Sequence, residues 1–451
     1  MHLGLHRLPS SAVLPDPFAP TLCQSPIMRL YILLFCLSLA TSSACAVPAR
    51  CPSNPTAPGP QAAGDYALDF EQLFKELGEG YVYFDEKKID WEGVHRRLAP
   101  RAREIHDRNA FIGLLEEAID ALHDAHAGLR TNTAHSFRLV PTGADIWADF
   151  DGEHAVVSEV RPQSAAARAG IRAGQEILAI SGVPVMRAVA EQLEPGASPT
   201  ARGWALRRLL AGRHDERRSL TLAAGRAPRE VAIIDREPSQ PAPAAPLQAR
   251  RLSAQAGYIK VENSLGEDSL VPAFDAALAE LASCKALILD LRETPSGGNT
   301  GVAEAIMGRF VREPRLYQRY ELPGAGFRGR SRLWAQYVTP RGPFTYEGKL
   351  IVLVTHWTGS MGEGMAIGLD GMGRGVVVGT AMAGLNGAVY SQTLTKTGIG
   401  FNYPAERLFH ISGTPRHLWL PPVRVDLRGQ DDGNSDPILE RALMLLGSPP
   451  G

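Results

Sequence analysis

An α/β core, preceded by a helical segment and a β-rich segment, is the fold class this sequence predicts. Three observations predict it. Between 257 and 379, short β-branched or leucine-rich runs alternate with helix-like stretches, the pattern of a mostly parallel sheet with right-handed crossovers. Between 65 and 135, apolar residues recur at three and four: Phe70, Leu73, Phe74 and Leu77, then Phe111, Leu114, Leu115, Ala118, Ile119 and Leu122. Between 140 and 236, short strand-like runs are separated by turns: Ala155–Val160, Glu176–Ile180 and Glu230–Ile234.

The core elements follow in order. A strand at 257–261 precedes a helix near 269–283. The run Ala286–Leu291 reads as a buried strand, followed by a glycine-rich turn and a helix at 301–311. Lys349–Val354 is a second buried strand that leads through a tight small-residue turn into an apolar helix, and Gly375–Gly379 is the next strand. Pro/Ala-rich stretches at 47–63 and 237–250 read as linkers. The divisions are a helical domain over 64–139, a β-rich domain over 140–236 and the α/β core over 251–446.

The chain has 451 residues, a formal net charge of −1 and 44% hydrophobic residues. That length allows two or three domains with sizeable cores, and the charge implies no polybasic surface for nucleic acid or membrane. The start reads as a targeting segment over 1–46. Met28-Arg29 precedes the apolar run Leu30–Ala40, too short to span a bilayer comfortably, and Ala44-Cys45-Ala46 fits a small-x-small cleavage site. Met28 is then the expected initiator. A lipid anchor at Cys45 is an alternative, although Ser42 stands where such a signal prefers an aliphatic residue. Export, most simply to a periplasm, with no membrane span after cleavage, is the expectation. Of the five cysteines, Cys51 and Cys284 would remain, either paired in an oxidising compartment or as separate thiols. No metal-ligand spacing of cysteine and histidine occurs, and no metal or organic cofactor is implied.

Ser360 sits on the strand-to-helix turn after Lys349–Val354. That turn exposes its hydroxyl beside the backbone N–H groups of a helix start, where developing negative charge meets oriented donors. A serine N-cap needs the same geometry and no chemistry. In such sheets, sites lie at the carboxyl ends of strands, where Ser360 and the 292–300 loop both fall.

Two resemblances extend this reading. Ser164-Ala165-Ala166-Ala167-Arg168-Ala169-Gly170-Ile171, followed by Ile180-Ser181-Gly182-Val183-Pro184-Val185, resembles the PDZ signature. It implies capture of extended peptides by strand addition, with Gly143 and Ile146 as substrate-binding residues. Three further segments resemble the tail-specific (C-terminal processing) protease family. Leu287–Gly298 is close to its D-L-R-x-N-x-G-G, with Thr294 in place of the usual asparagine. Thr358–Glu363 matches T-x-S-x-x-E around the nucleophile. Leu122–Leu129 matches L-x-D-x-H-x-x-L. The resemblance implies a crotonase/ClpP-like core, with Ser360 as nucleophile and an oxyanion hole of Gly297, Gly298 and the Met361 N–H.

The branch decides the base. Leu385 occupies the position of the lysine in the serine–lysine branch, and Lys396 falls outside that motif. The chain is therefore more similar to the tricorn-core and interphotoreceptor-retinoid-binding-protein-like branch, which pairs the serine with a histidine at the position of His126. Ala125 stands where that branch has an orienting serine, and Thr414–Val423 carries no acid where a distal glutamate is expected. Asp124, Glu363 and Glu406 are candidate substitutes, and His356 is a second candidate base. Glu363 is also expected to support the turn, and Asp290 and Arg292 to form an internal pair. The resemblance implies an exported serine peptidase acting on polypeptides through an acyl-enzyme. The alternative is a catalytically inactive member that binds a peptide or an apolar ligand in the same cleft.

Overall fold

A computed structural model describes residues 63–225, 227–235, 245–324, 331–429 and 435–447. The targeting segment with Met28 and Cys45, most of the 47–63 linker with Cys51, and residues 236–244 of the second linker lie outside the described residues.

The helical domain comprises α1 (Ala63–Gly80), α2 (Phe84–Lys87), α3 (Trp91–Glu104) and α4 (Arg108–Asp120). Asp90 and Asp107 cap α3 and α4 by accepting the backbone N–H groups of Gly93 and Ala110. The apolar stripe closes on itself: Phe70, Leu73, Leu77, Phe111, Leu114, Leu115 and Leu122 are buried together. Helix ends at Asp120, earlier than the periodicity suggests, and Leu122–Leu129 forms turns and the short strand β1 (Gly128–Leu129).

The β-rich domain runs through β2 (Ile146–Asp151), β3 (His154–Val160), α5 (Ala165–Arg168), β4 (Glu176–Ile180), β5 (Val183–Pro184), α6 (Val185–Ala190), α7 (Pro199–Ala211), β6 (Arg218–Leu222) and β7 (Arg229–Ile233). Its strands are ordered β2-β3-β4-β6-β7, with β5 beside β4, so β2 is an edge strand. Ile146 is 1% exposed within this domain's core, so its side chain does not meet a substrate. Gly143 is exposed in the turn before β2, its N–H bonded to Leu139 O.

The α/β core follows: β8 (Leu247–Arg251), β9 (Ala256–Val261), α8 (Leu270–Glu280), β10 (Ala286–Asp290), α9 (Thr300–Met307), β11 (Arg315–Leu322), β12 (Arg332–Val338), β13 (Lys349–Val354), α10 (Met361–Gly371), β14 (Gly375–Gly379), β15 (Ala388–Thr393), β16 (Gly400–Phe409), β17 (Val423–Arg424) and α11 (Pro437–Leu446). One sheet has the order β17-β14-β13-β10-β9-β8 and is parallel except where β8 meets β9. The parallel strands β10 and β13 are buried on both faces, which is why they read as continuous apolar runs. Residues 247–250, expected in the linker, instead form most of β8, because their backbone completes the open edge of β9.

A second, antiparallel sheet (β1-β16-β11-β12, with β15 on β16) was not anticipated. Through β1 it ties the helical domain to the core, Gly128 opposite Asn402 and Leu129 opposite Phe401. Phe401 and Tyr403 bury their rings in the helical domain's core. Cys284 is a buried thiol whose Sγ accepts from Arg251 Nη1.

The PDZ-like domain docks on the turn that precedes Ser360. Trp357, 1% exposed, donates its indole N–H to Ala144 O at 2.8 Å. His356 stacks on Trp147 and is hydrogen-bonded to Glu159 of β3 at 2.6 Å. Trp357→Phe removes the donor and strands a buried carbonyl, a loss of about 1–3 kcal/mol. The expected outcome is a lower Tm in calorimetry, with faster limited proteolysis within 140–235.

Candidate active site

Ser360 is the junction between β13 and α10, with φ 49° and ψ −109°. A non-glycine residue with positive φ is strained, and such strain persists only where the surroundings over-determine it. Here the surroundings are Thr294 and Glu363. Thr294 N–H donates to Trp357 O, and Thr294 O accepts from Gly359 N–H, stitching the 292–298 loop to the turn. Glu363, fully buried one turn into α10, accepts the Ser360 N–H at 2.8 Å. Its other contacts lie outside the helix: the N–H groups of Gly384 at 2.9 Å and Leu385 at 3.3 Å, with Arg416 Nη2 at 4.0 Å. Burial pushes the Glu363 carboxyl up to about 7, against Arg416 and these donors. The expected supporting role of Glu363 is what this geometry describes, and its span reaches further than the turn.

Gly297 and Gly298 are both required by close approach. A Cβ on Gly297, which has φ +64°, would stand 2.4 Å from Ser360 Cβ, and one on Gly298 would stand 2.1 Å from the Leu265 backbone. Their N–H groups differ. Gly297 N–H is committed to Thr294 O at 3.0 Å, so it is not available as an oxyanion donor, and the glycine's part is to let the loop lie against the serine. Among the described residues, the N–H groups of Gly298 and Met361 have no hydrogen-bond partner.

His126 lies in the turn after α4 and is half-buried. Its Nδ1 lies 2.5 Å from Asn386 O. A carbonyl can only accept, so Nδ1 carries the ring proton and Nε2 keeps its lone pair. Burial and the nearby Arg416 push the imidazole down to about 4, against the Asn386 bond and Asp124. At neutral pH the ring is uncharged, the form a general base requires.

None of the candidate acids bonds the imidazole. Asp124 accepts the His126 backbone N–H at 2.9 Å, and Glu406 accepts from Tyr390. The orienting group is the carbonyl of Asn386, which has no side-chain letter to read. His356 is engaged with Glu159 and Thr380, away from a base role. Lys396 reaches toward Asp65 of α1. The Leu385 side chain packs with Trp147, Trp357 and Ala383, and Ala125 packs against the same cluster, so the lysine and serine positions of related sites are both filled by apolar contact. Asp290 and Arg292 form the expected pair at 2.7 Å, extended by Tyr258 and Asp436. No cluster of three or more potential ligands that could hold a metal ion occurs among the described residues.

Residues 255–419 match the model of peptidase family S41, 63–120 the tricorn protease C1 domain and 156–193 the PDZ domain. Residues 255–419 are thus a peptidase family S41 domain. The core of the chain is a serine-type peptidase domain carrying a PDZ domain before it. Tricorn protease homolog 1 of Streptomyces coelicolor (strain ATCC BAA-471 / A3(2) / M145) is 25% identical over 412 residues, 84% of this chain and 35% of that protein. The chain therefore spans about a third of the length of that curated relative. Mature CPAF superposes with a TM-score of 0.56 at 16% identity, covering 81% of this chain and 94% of that one. CPAF complexed with lactacystin gives 0.57 at 15% identity, covering 85% and 98%. These likenesses establish the fold of this chain.

Glu363→Gln tests the buried carboxylate. An amide there faces N–H donors with its own N–H groups and leaves Arg416 without its charge. The expected cost is about 1–3 kcal/mol or more, read as a lower Tm, together with slower labelling of Ser360 by a fluorophosphonate.

Proposed function

We propose that this chain is an exported serine peptidase that hydrolyses peptide bonds in polypeptides through an acyl-enzyme on Ser360. The observation that carries the proposal is the presence of two preset groups. One is a strained serine flanked by two uncommitted N–H donors; the other is a histidine whose single proton is pinned on Nδ1.

The chemistry follows from these groups. Ser360 Oγ attacks the scissile carbonyl carbon as His126 Nε2 takes the hydroxyl proton. The carbonyl oxygen, now negative, is received by the N–H groups of Gly298 and Met361. Collapse expels the amine, which takes the proton from Nε2. Water then repeats the sequence on the ester and frees Ser360. The resulting imidazolium keeps its Nδ1–H directed at Asn386 O, so the ring does not turn between steps. The PDZ domain would take an extended substrate by strand addition, with Gly143 exposed in the turn before β2. Among the described residues no helix is long and apolar enough to cross a membrane, and the apolar run after Met28 supports the exported, periplasmic reading.

Fluorophosphonate labelling, with the adduct mapped by mass spectrometry, tests the proposal. The wild type is expected to label at Ser360 and to digest an unfolded polypeptide; Ser360→Ala is expected to do neither. His126→Ala is expected to slow labelling by about 10²- to 10⁴-fold. A folded wild type that binds unfolded polypeptide yet neither labels nor cleaves would instead identify an inactive binding member.

The pH profile gives an independent check. Below any change near pH 7 as Glu363 takes up its proton, the labelling rate is expected to fall with a second midpoint near 4, because the ring then carries a second proton and accepts none. A lowest midpoint near the ordinary histidine value of about 6.5 would contradict the buried imidazole described here.

A further inference from the structure

The base is oriented by a backbone carbonyl, and a carbonyl is only as well placed as the loop that carries it. Three successive carbonyls in that loop are each committed. Arg416 Nη2, on a 3%-exposed residue, donates to Leu385 O at 3.2 Å and to Gly387 O at 2.7 Å. The middle carbonyl, Asn386 O, is left to His126 Nδ1. The side chain of that middle residue is held as well: Asn386 Nδ2 donates to Asp124 Oδ2 at 2.8 Å. The other oxygen of the same carboxylate, Oδ1, accepts the backbone N–H of His126 at 2.9 Å. One buried carboxylate thus fixes the histidine's backbone with one oxygen and the residue bearing its carbonyl partner with the other.

Asp124 is itself anchored. It is 5% exposed, accepts from Tyr81 Oη at 2.7 Å and pairs with Lys87 Nζ at 3.1 Å. Burial pushes its carboxyl up, but Lys87 and the donors from Asn386, Tyr81 and the His126 backbone bring it below the usual carboxylate range. It is charged wherever the histidine is neutral.

The geometry points to Asp124 as the positioning acid of this site, acting on the His126 imidazole through Asn386 rather than by direct contact. Resting on the assignment of His126 as base, this gives the site the function of a triad acid, with a peptide carbonyl inserted between carboxylate and ring. It also accounts for a family member working without an acid at the expected distal position.

The test uses the full chain and the rate of fluorophosphonate labelling at Ser360. Asn386→Ala keeps the carbonyl and removes its anchor; labelling is expected to slow on the order of 10²-fold while the circular dichroism spectrum is retained. Asn386→Asp sets two carboxylates against each other and is expected to be at least as slow. Exchanging the pair, Asp124→Asn with Asn386→Asp, restores one amide and one carboxylate across the same gap. It is expected to recover labelling to within about tenfold of wild type, which loss of packing alone would not do. Wild-type labelling by folded Asn386→Ala would overturn the assignment. So would a folded exchange variant no faster than Asn386→Asp alone. His126→Ala separates the two layers. If it labels normally, the base assignment fails; if it is slow while Asn386→Ala is not, only the role of Asp124 falls.

Discussion

A single buried carboxylate holds the two halves of this site in register. Glu363 accepts the N–H of Ser360 on one side and those of Gly384 and Leu385 on the other, with Arg416 facing it. An uncompensated carboxylate buried this deeply is strongly unfavourable, so its donors are effectively obligatory. Satisfying it forces the strained serine turn and the 384–387 loop to approach. The next residue in that loop is Asn386, whose carbonyl receives the histidine. Ser360 and His126 come from segments more than 230 residues apart in sequence, and Glu363 lies between their supports. Arg416 closes the arrangement by taking the flanking carbonyls Leu385 O and Gly387 O.

That loop shows how one scaffold accommodates different bases. Leu385 stands where the serine–lysine branch has its lysine, and its side chain packs with Trp147, Trp357 and Ala383. An ammonium could not be placed among those rings without a counter-charge. The same cluster receives Ala125, where a serine orients the histidine in the other branch. Both expected polar partners have been exchanged for apolar packing, and the hydrogen bond that orients the imidazole has moved to the main chain.

What the sequence made legible follows physical lines. Strands buried on both faces, such as Lys349–Val354, announce themselves as apolar runs, and the turns after them place Ser360 and Gly298 at the sheet's carboxyl edge. The L-x-D-x-H segment singled out His126 as a candidate. The carbonyl of Asn386 was illegible, because every residue has a carbonyl and nothing in the letters says which one is used. Gly297 was legible as a glycine with a reason, but the use of its N–H depended on where Thr294 O lies. The β11–β12 and β15–β16 pairs were missed because these half-exposed strands carry tyrosines, arginines and glutamines on both faces, without a clean alternation. Arg416 was illegible because no motif marks it, although it brings a positive charge to the same loop.

The contact between the PDZ domain and the core bears on the site through position rather than strength. His356 and Trp357 occupy the segment between β13 and Ser360, and both are fixed by the PDZ domain, through Glu159 and Ala144 O. Thr380, directly after β14, donates to the same Glu159 oxygen at 2.9 Å. A buried hydrogen bond of this kind adds little net stability, yet leaving one member without its partner is costly. Its consequence is geometric: the PDZ domain has one register on the core in which Glu159 finds both His356 and Thr380. The turn that strains Ser360 is thus bounded on three sides, by Thr294 of the glycine loop, by Glu363 beneath it and by the PDZ domain over residues 356 and 357. A residue at φ 49° and ψ −109° needs that degree of constraint, because released from any one side it has lower-energy backbone conformations to adopt.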